Sequence, residues 1–279
     1  MSIRRMKDLD CRDKRVLIRV DFNVPIDESG RIIDDHRIAA AIPTIRHVLA
    51  TGGIAILMSH LGRPAGKGFE KAFSLAPVAE RLQLLLGKEH PVHFVSGGCV
   101  GDAAKKAVDA ASPGEVVLLD NLRFEAGEKG NDTAFGAAIA SLADAYVNDA
   151  FGTAHRAHAS MVAVPAAMPG APRVAGLLLE KELRHLSETL ASPGHPFAVI
   201  LGGAKVSDKL AAIRNLLPRT DVIFVGGAMA YTFKLARGFG VGDSLVEPDK
   251  TGIAQAALDK ATERGVEFLL PTDNLISRM

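Results

Sequence analysis

Short apolar runs and helix-period stretches alternate along the chain. The runs are Val16–Val20, Ile54–Met58, Glu115–Leu119, Phe197–Leu201, Asp221–Val225 and Glu267–Leu270. Each has the length of a central strand, and several are β-branched. Apolar residues recur with helical spacing in Ile38–Ala50, Leu75–Leu86, Ala103–Ala111, Thr133–Leu142, Asp208–Leu217 and Ile253–Arg264. Gly52-Gly53, Gly87 and Gly265 stand where those helices should stop. Strand–helix alternation of this kind predicts a parallel α/β fold wound on both faces.

A composition shift falls at Val164–Arg173, which holds Pro165, Pro169 and Pro172. Beyond it, Gly176–Leu190 reads as one long amphipathic helix. Leu178, Leu179, Leu183 and Leu186 form its apolar stripe, and Glu180, Lys181, Glu182 and Arg184 its polar side. Ser192-Pro193-Gly194 then breaks the chain before the strand at Phe197. The pattern predicts a first domain over 1–172, a connecting helix over 173–191 and a second domain over 192–279. The second shows about three strands, fewer than the roughly five or six of a doubly wound nucleotide domain. It is therefore expected to be incomplete in this chain.

Composition narrows the function. The 279 residues are 48% apolar and 23% charged, the balance of a globular protein. The 33 Lys and Arg against 32 Asp and Glu leave a net charge of +1, which disfavours a broad nucleic-acid footprint. Aromatics are only 5% and Trp is absent, so a base-stacking platform is unsupported. Cys11 and Cys99 are far apart, with no C-x-x-C, which argues against a disulfide scaffold or structural zinc and fits a reducing cytosol. No secretory signal and no membrane-spanning run are expected.

In an open parallel sheet, ligands bind at the carboxyl ends of the strands. Asp21, Asn23 and Pro25 follow the first run, and Ser59, His60, Gly62 and Arg63 follow the second. Asp120, Asn121 and Arg123 follow the third. Asn148 and Asp149 follow Tyr146-Val147, ahead of His155, Arg156 and His158. Arg37 opens the first long helix on the same edge. A lone arginine after a strand is more often a surface ion pair than a ligand. Four of them on one edge (Arg37, Arg63, Arg123, Arg156) point to a small dianion bearing carboxylate and phosphate, which guanidinium forks suit. His155-x-x-His158 lacks a third metal ligand nearby, and Asp21-x-Asn23 is equally an Asx turn.

The second block opens with Leu201-Gly202-Gly203-Ala204-Lys205-Val206-Ser207-Asp208-Lys209. It reads as a strand running into glycines and then into a helix capped by Ser207 or Asp208. Lys205 and Lys209 share a side of that helix if its turn already starts at the glycines. Val225-Gly226-Gly227-Ala228 repeats the strand–glycine–helix junction. Backbone amides at glycine turns and helix starts suit phosphate, although tight strand-to-helix packing also selects glycine. Neither a Walker A nor a G-x-G-x-x-G occurs.

Arg19-Val20-Asp21-Phe22-Asn23-Val24-Pro25 resembles the signature of the phosphoglycerate kinase family. So do Ser59-His60-Leu61-Gly62-Arg63-Pro64, Leu119-Asp120-Asn121-Leu122-Arg123-Phe124 and Asn148-Asp149-Ala150-Phe151-Gly152-Thr153-Ala154-His155-Arg156. The Gly202–Lys209 and Val225–Gly227 segments are similar too, and the likeness covers the whole chain. It implies two Rossmann-like domains joined by the helix 176–190. It implies that Asp21, Asn23, Arg37, His60, Arg63, Arg123 and Arg156 bind 3-phosphoglycerate or 1,3-bisphosphoglycerate. Gly202, Gly203, Lys205, Lys209, Gly226 and Gly227 would bind ADP or ATP with Mg²⁺. Arg37 would bridge the transferred phosphoryl group and Lys205 face it as the second catalytic cation, with no metal ligand from this chain. The resemblance also implies a cytoplasmic monomer with no nucleic-acid or membrane partner.

Two departures stand out. Ala228 sits where many family members carry a third glycine. The family also continues past residue 279 with an acidic residue for the ribose, a Gly-Gly-Asp turn for the metal, a last Gly-rich helix start and a returning tail. The chain is thus expected to match roughly the first two thirds of the enzyme and to show at most trace kinase activity alone. The alternatives are a non-catalytic sugar-phosphate-binding module or a kinase of another small phosphorylated acid.

Overall fold

The computed structural model describes residues 4–274, apart from the side chains of 187 and 188. The chain divides into two compact units, 1–183 and 184–279.

The first unit follows the alternation in the sequence. Its elements are β1 (Arg15–Arg19), α1 (His36–Ala50), β2 (Ile54–Met58), α2 (Ala76–Leu86), β3 (Val92–Val95) and α3 (Asp102–Ala110). Then come β4 (Val116–Leu119), α4 (Ala126–Gly130), α5 (Thr133–Ala140), β5 (Ala145–Asn148), α6 (Ala163–Ala166) and β6 (Arg173–Ala175). Helix α7 (Leu177–Ala191) follows, and the division between units falls within it. The six strands pair in parallel, in the order β3-β4-β2-β1-β5-β6.

Strand period explains the continuous apolar runs. Side chains alternate between faces, and both faces of this sheet are covered. Val16, Ile18 and Val20 enter one core with Ile38 and Ile45 of α1 and Val78 and Leu82 of α2. Leu17, between them, enters the other with Val117, Tyr146, Val108 of α3 and Ile139 of α5. Each such side chain contributes about 1.5–3 kcal/mol by leaving water.

Segment 173–175, assigned from sequence to the connecting helix, is instead β6. It pairs with β5 in the register Tyr146↔Arg173, Val147↔Val174 and Asn148↔Ala175. Its three residues carry too little periodicity to show beside three prolines.

The second unit holds β7 (Ala198–Gly202), α8 (Leu210–Leu216), β8 (Val222–Gly226), α9 (Met229–Ala236), α10 (Thr251–Glu263) and β9 (Glu267–Leu269). Its strands are parallel in the order β7-β8-β9. Ile223, Val225 and Phe268 pack with Ile213, Phe233 and Leu258 from the three helices. Ile200 and Phe224, on the alternate positions, are exposed.

The helix predicted over Asp208–Leu217 starts later, at Leu210, and neither Ser207 nor Asp208 caps it. Ser207 is engaged elsewhere. Its N–H and hydroxyl both donate to Glu247, at 3.0 and 2.7 Å. Lys205 and Lys209 therefore both precede the helix, and the shared helical face expected of them does not form.

Candidate active site

The order of strands in the first unit sets the site. The connection after β1 runs to β2 on one side of the sheet, and the connection after β5 runs to β6 on the other. Ligands collect at the carboxyl ends around such a switch. Asp21 and Asn23 leave β1 there, His60 and Arg63 leave β2, Arg123 follows β4 and Arg156 follows β5. Arg37 lies in the first turn of α1.

Hydrogen bonds bring these predicted residues together. Arg37 Nη1 donates to Asp21 Oδ2 at 2.9 Å. The Gly62 N–H donates to Asn23 Oδ1 at 2.9 Å, and Arg123 Nη1 donates to the Gly62 carbonyl at 2.7 Å. Gly62 sits at φ +60°, and a Cβ there would come 2.5 Å from the Phe73 ring, so a glycine is required. Asn121 completes the loop frame. Its Nδ2 donates to the carbonyls of Leu61 and Phe73, and its Oδ1 accepts from the Arg123 N–H.

Electrostatics show how closely the cations crowd. Burial, and then Arg19, Arg123, Arg156 and His158, push the His60 imidazole down to about 2. It is neutral at any ordinary pH. Burial lowers the Arg123 guanidinium, followed by Arg156, Arg19 and, more weakly, Arg63. The Nε of Arg123 is buried without a partner. An orphaned donor among mutually repelling cations is the environment an anion relieves. Arg63 and Arg156 are exposed. All seven residues expected at this edge are brought to it.

One residue of this edge escaped the sequence reading. Arg19 closes the apolar run of β1, yet it is only 1% exposed. Its Nη2 lies 3.1 Å from His60 Nδ1 and its Nε donates to Ser160 Oγ at 3.0 Å. The signal available was a charged residue at a strand end inside a buried run, which is costly unless paired. Asp120 and Asp149, by contrast, serve the frame. Asp120 accepts from the N–H groups of Leu75 and Gly97 at 2.8 and 3.0 Å. Asp149 accepts from Leu178 and Leu179 N–H at the start of α7, at 2.9 and 3.0 Å.

In the second unit, Gly202 and Gly226 are register partners at the ends of β7 and β8. Gly227 has φ +67°, and a Cβ on it would lie 3.0 Å from the Gly203 carbonyl oxygen. The Met229 N–H donates to that oxygen at 2.9 Å. The two glycine turns therefore adjoin at the carboxyl edge. Lys205 and Lys209 are exposed beside them. Ser207, and more weakly Lys205, hold the Glu247 carboxyl below its usual range. Among the described residues, no group of three or more His, Cys, Asp and Glu could hold a metal ion. No helix there is long and apolar enough to cross a membrane.

Comparison with known proteins gives one consistent family. The profile of phosphoglycerate kinase matches residues 6–279. The phosphoglycerate kinase of Rhodopirellula baltica is 52% identical over 273 residues, covering 98% of this chain and 67% of the relative. That of Chloroflexus aurantiacus is 50% identical over 277 residues, covering 99% and 68%. The structure of phosphoglycerate kinase from Coxiella burnetii superposes with a TM-score of 0.80 at 39% identity, covering 97% of this chain and 66% of that one. The chain thus spans about two thirds of the length of the relatives it matches.

Proposed function

The chain belongs to the phosphoglycerate kinase family, and from that membership we propose that the protein transfers a phosphoryl group reversibly between 1,3-bisphosphoglycerate and ADP. The products are 3-phosphoglycerate and ATP. The observation that carries the reading is the convergence of Arg37, Arg63, Arg123 and Arg156 on one sheet edge, with a buried Arg123 donor left unpaired.

The chemistry asks for little acid–base work. In the direction of ATP use, the nucleophile is the carboxylate of 3-phosphoglycerate, already ionised at pH 7. No general base is required, and His60, pushed down to about 2, is too weak a base to serve as one. What remains is positioning and charge neutralisation of a loose, metaphosphate-like transition state. Arg63, Arg123 and Arg156 are assigned to the anionic groups of the acid, which their fork geometry fits. Asn23 acts on the loop that carries Arg63, through the Gly62 N–H. Arg37, oriented by Asp21, is assigned to the transferred group, and Lys205 is its counterpart for the nucleotide phosphates.

The glycine turns at 202–203 and 226–227, with Lys209, are assigned to the nucleotide. Their backbone N–H groups supply donors at a strand edge. Mg²⁺ would accompany the nucleotide and add charge neutralisation. The described residues offer it no ligand set, and none is assigned to it. Helix α7 is proposed as the connector of the two domains. The protein is further read as a monomer of the cytoplasm, where its two buried free thiols, Cys11 and Cys99, suit a reducing environment.

Calorimetric titration of 3-phosphoglycerate and of ATP tests the reading, with a coupled assay applied to a protein of the full family length. Binding of both, with acid binding weakened about tenfold or more in Arg123→Ala, is expected. A protein that binds neither ligand defeats it.

A further inference from the structure

We propose that Glu128, Ser160 and Arg19 form a one-way hydrogen-bond chain that fixes His60 as the neutral tautomer with its proton on Nε2, making His60 a donor to the substrate rather than a cation. Only the word substrate rests on the phosphoglycerate reading; the tautomer stands on geometry.

A guanidinium has donors and no acceptor. Arg19 Nη2 lies 3.1 Å from His60 Nδ1, so Nδ1 must present its lone pair and the ring proton belongs on Nε2. Arg19 is itself held. Its Nη1 donates to the Val20 carbonyl and its Nε to Ser160 Oγ at 3.0 Å. The Ser160 hydroxyl, having accepted from Arg19, sends its own proton to Glu128 Oε1 at 2.7 Å. The Ser160 N–H donates to Glu128 Oε2 at 2.9 Å, and its carbonyl accepts from the Tyr146 hydroxyl at 2.9 Å. With a donor-only group near one end and a carboxylate at the other, the direction cannot reverse. Glu128 and Ser160 are fully buried.

The rival for Nδ1 is Asp21, which would favour a proton there. Its Oδ1 is 4.0 Å away, outside hydrogen-bond range, while Arg19 is within it. The other charged or titratable groups acting on the ring are Arg123 beyond β4, and Arg156 and His158 beyond β5. The arginine cations oppose a second ring proton, while burial lowers the His158 imidazole too. Nε2 has no hydrogen-bond partner among the described residues. Glu128, Ser160 and Arg19 are positioning residues. They set which ring nitrogen donates.

The test is the imidazole ¹⁵N spectrum of the histidine-labelled protein across pH 5.5–8.5. A protonated Nε2 and an unprotonated Nδ1 that do not titrate are expected for His60. An Nδ1–H tautomer, or titration near the ordinary histidine value, overturns the proposal. Ser160→Ala cuts the chain and should let an Nδ1–H population appear, while Ser160→Thr keeps the hydroxyl and should restore the lock. Wild-type spectra in Ser160→Ala would overturn the role of Ser160 and Glu128. Where single variants at the buried charges fail to fold, Arg19→Met/Glu128→Gln removes both charges together and strands neither. Its His60 should show an Nδ1–H population, and a ring that stays wholly Nε2–H there overturns the role of Arg19. Adding 3-phosphoglycerate separates the two readings. A locked ring whose Nε2 signal moves supports both. A locked ring in a protein that binds no 3-phosphoglycerate upholds the tautomer and defeats the phosphoglycerate reading. Binding that leaves Nε2 unmoved overturns the donor role.

Discussion

Arg37 Nη1 and Asp21 Oδ2 lie 2.9 Å apart, joining the first turn of α1 to the end of β1. The arginine is exposed and its partner half-buried. An exposed ion pair of this kind is worth only about 0–1 kcal/mol to the fold, so its placement bears on chemistry more than on stability. In a protein of the full family length, Arg37→Ala should lower kcat on the order of 10³-fold if it acts like other transition-state arginines. Melting should scarcely change. A variant with kcat near the parent value removes Arg37 from the transferred group.

Arg63 and Arg123 separate a ligand role from a structural one. Losing one charge-assisted contact costs about 1.5–3 kcal/mol. Each change to Ala should therefore raise the KM for 3-phosphoglycerate by about tenfold or more, with the nucleotide KM nearly constant. Arg63 is exposed, so its loss should spare the melting temperature. Arg123 is buried and holds the Gly62 carbonyl, so its loss should lower it. Steady-state kinetics in both substrates, with melting curves, would decide. An acid KM unmoved in both variants excludes them from the pocket.

Gly227 allows a selective change in the second unit. Its φ of +67° costs a residue with a Cβ about 1–2 kcal/mol. The new methyl would also press on the Gly203 carbonyl at 3.0 Å. Gly227→Ala should weaken ADP binding by about tenfold, the equivalent of 1.4 kcal/mol. Binding of 3-phosphoglycerate should not change. Calorimetry with each ligand reads the difference, and equal losses for both would argue against a nucleotide site there.

The depressed His60 imidazole makes stability depend on acid. The folded state refuses a proton that the unfolded chain accepts below 6.5, while the folded value is about 2. Its contribution is complete above pH 6.5 and declines as the pH falls toward 2. At pH 5 the loss from this residue is about 2 kcal/mol. His60→Gln does not titrate. Denaturant unfolding at pH 7 and pH 5 should show a smaller drop in the variant, by roughly that amount. Equal drops would mean that His60 takes a proton while the protein is folded.

The strands and helices legible in the sequence were those with enough buried positions to impose a period. Ile54–Met58 is buried throughout and forms β2 as read. The strands that did not stand out as apolar runs include both edges of the sheet. β3 and β6 have four and three residues and are partly exposed, so their alternation is faint. The glycine turn after β7 was legible, but the start of α8 was not. Glu247, forty residues on, takes the Ser207 hydroxyl that would otherwise have capped the helix.

Local pattern determined the α/β class, the apolar cores and the list of polar residues at the strand ends. Period and turn chemistry are short-range properties, and the sequence records them directly. The tertiary structure alone decided which of those polar groups meet. Arg19 finds His60 across 41 positions and Ser160 across 141, because β1 lies between β2 and β5 in the sheet. That adjacency buries a guanidinium that pattern alone would have left in solvent. Burial then sets the charge on His60, since a desolvated imidazole beside a cation cannot hold a second proton.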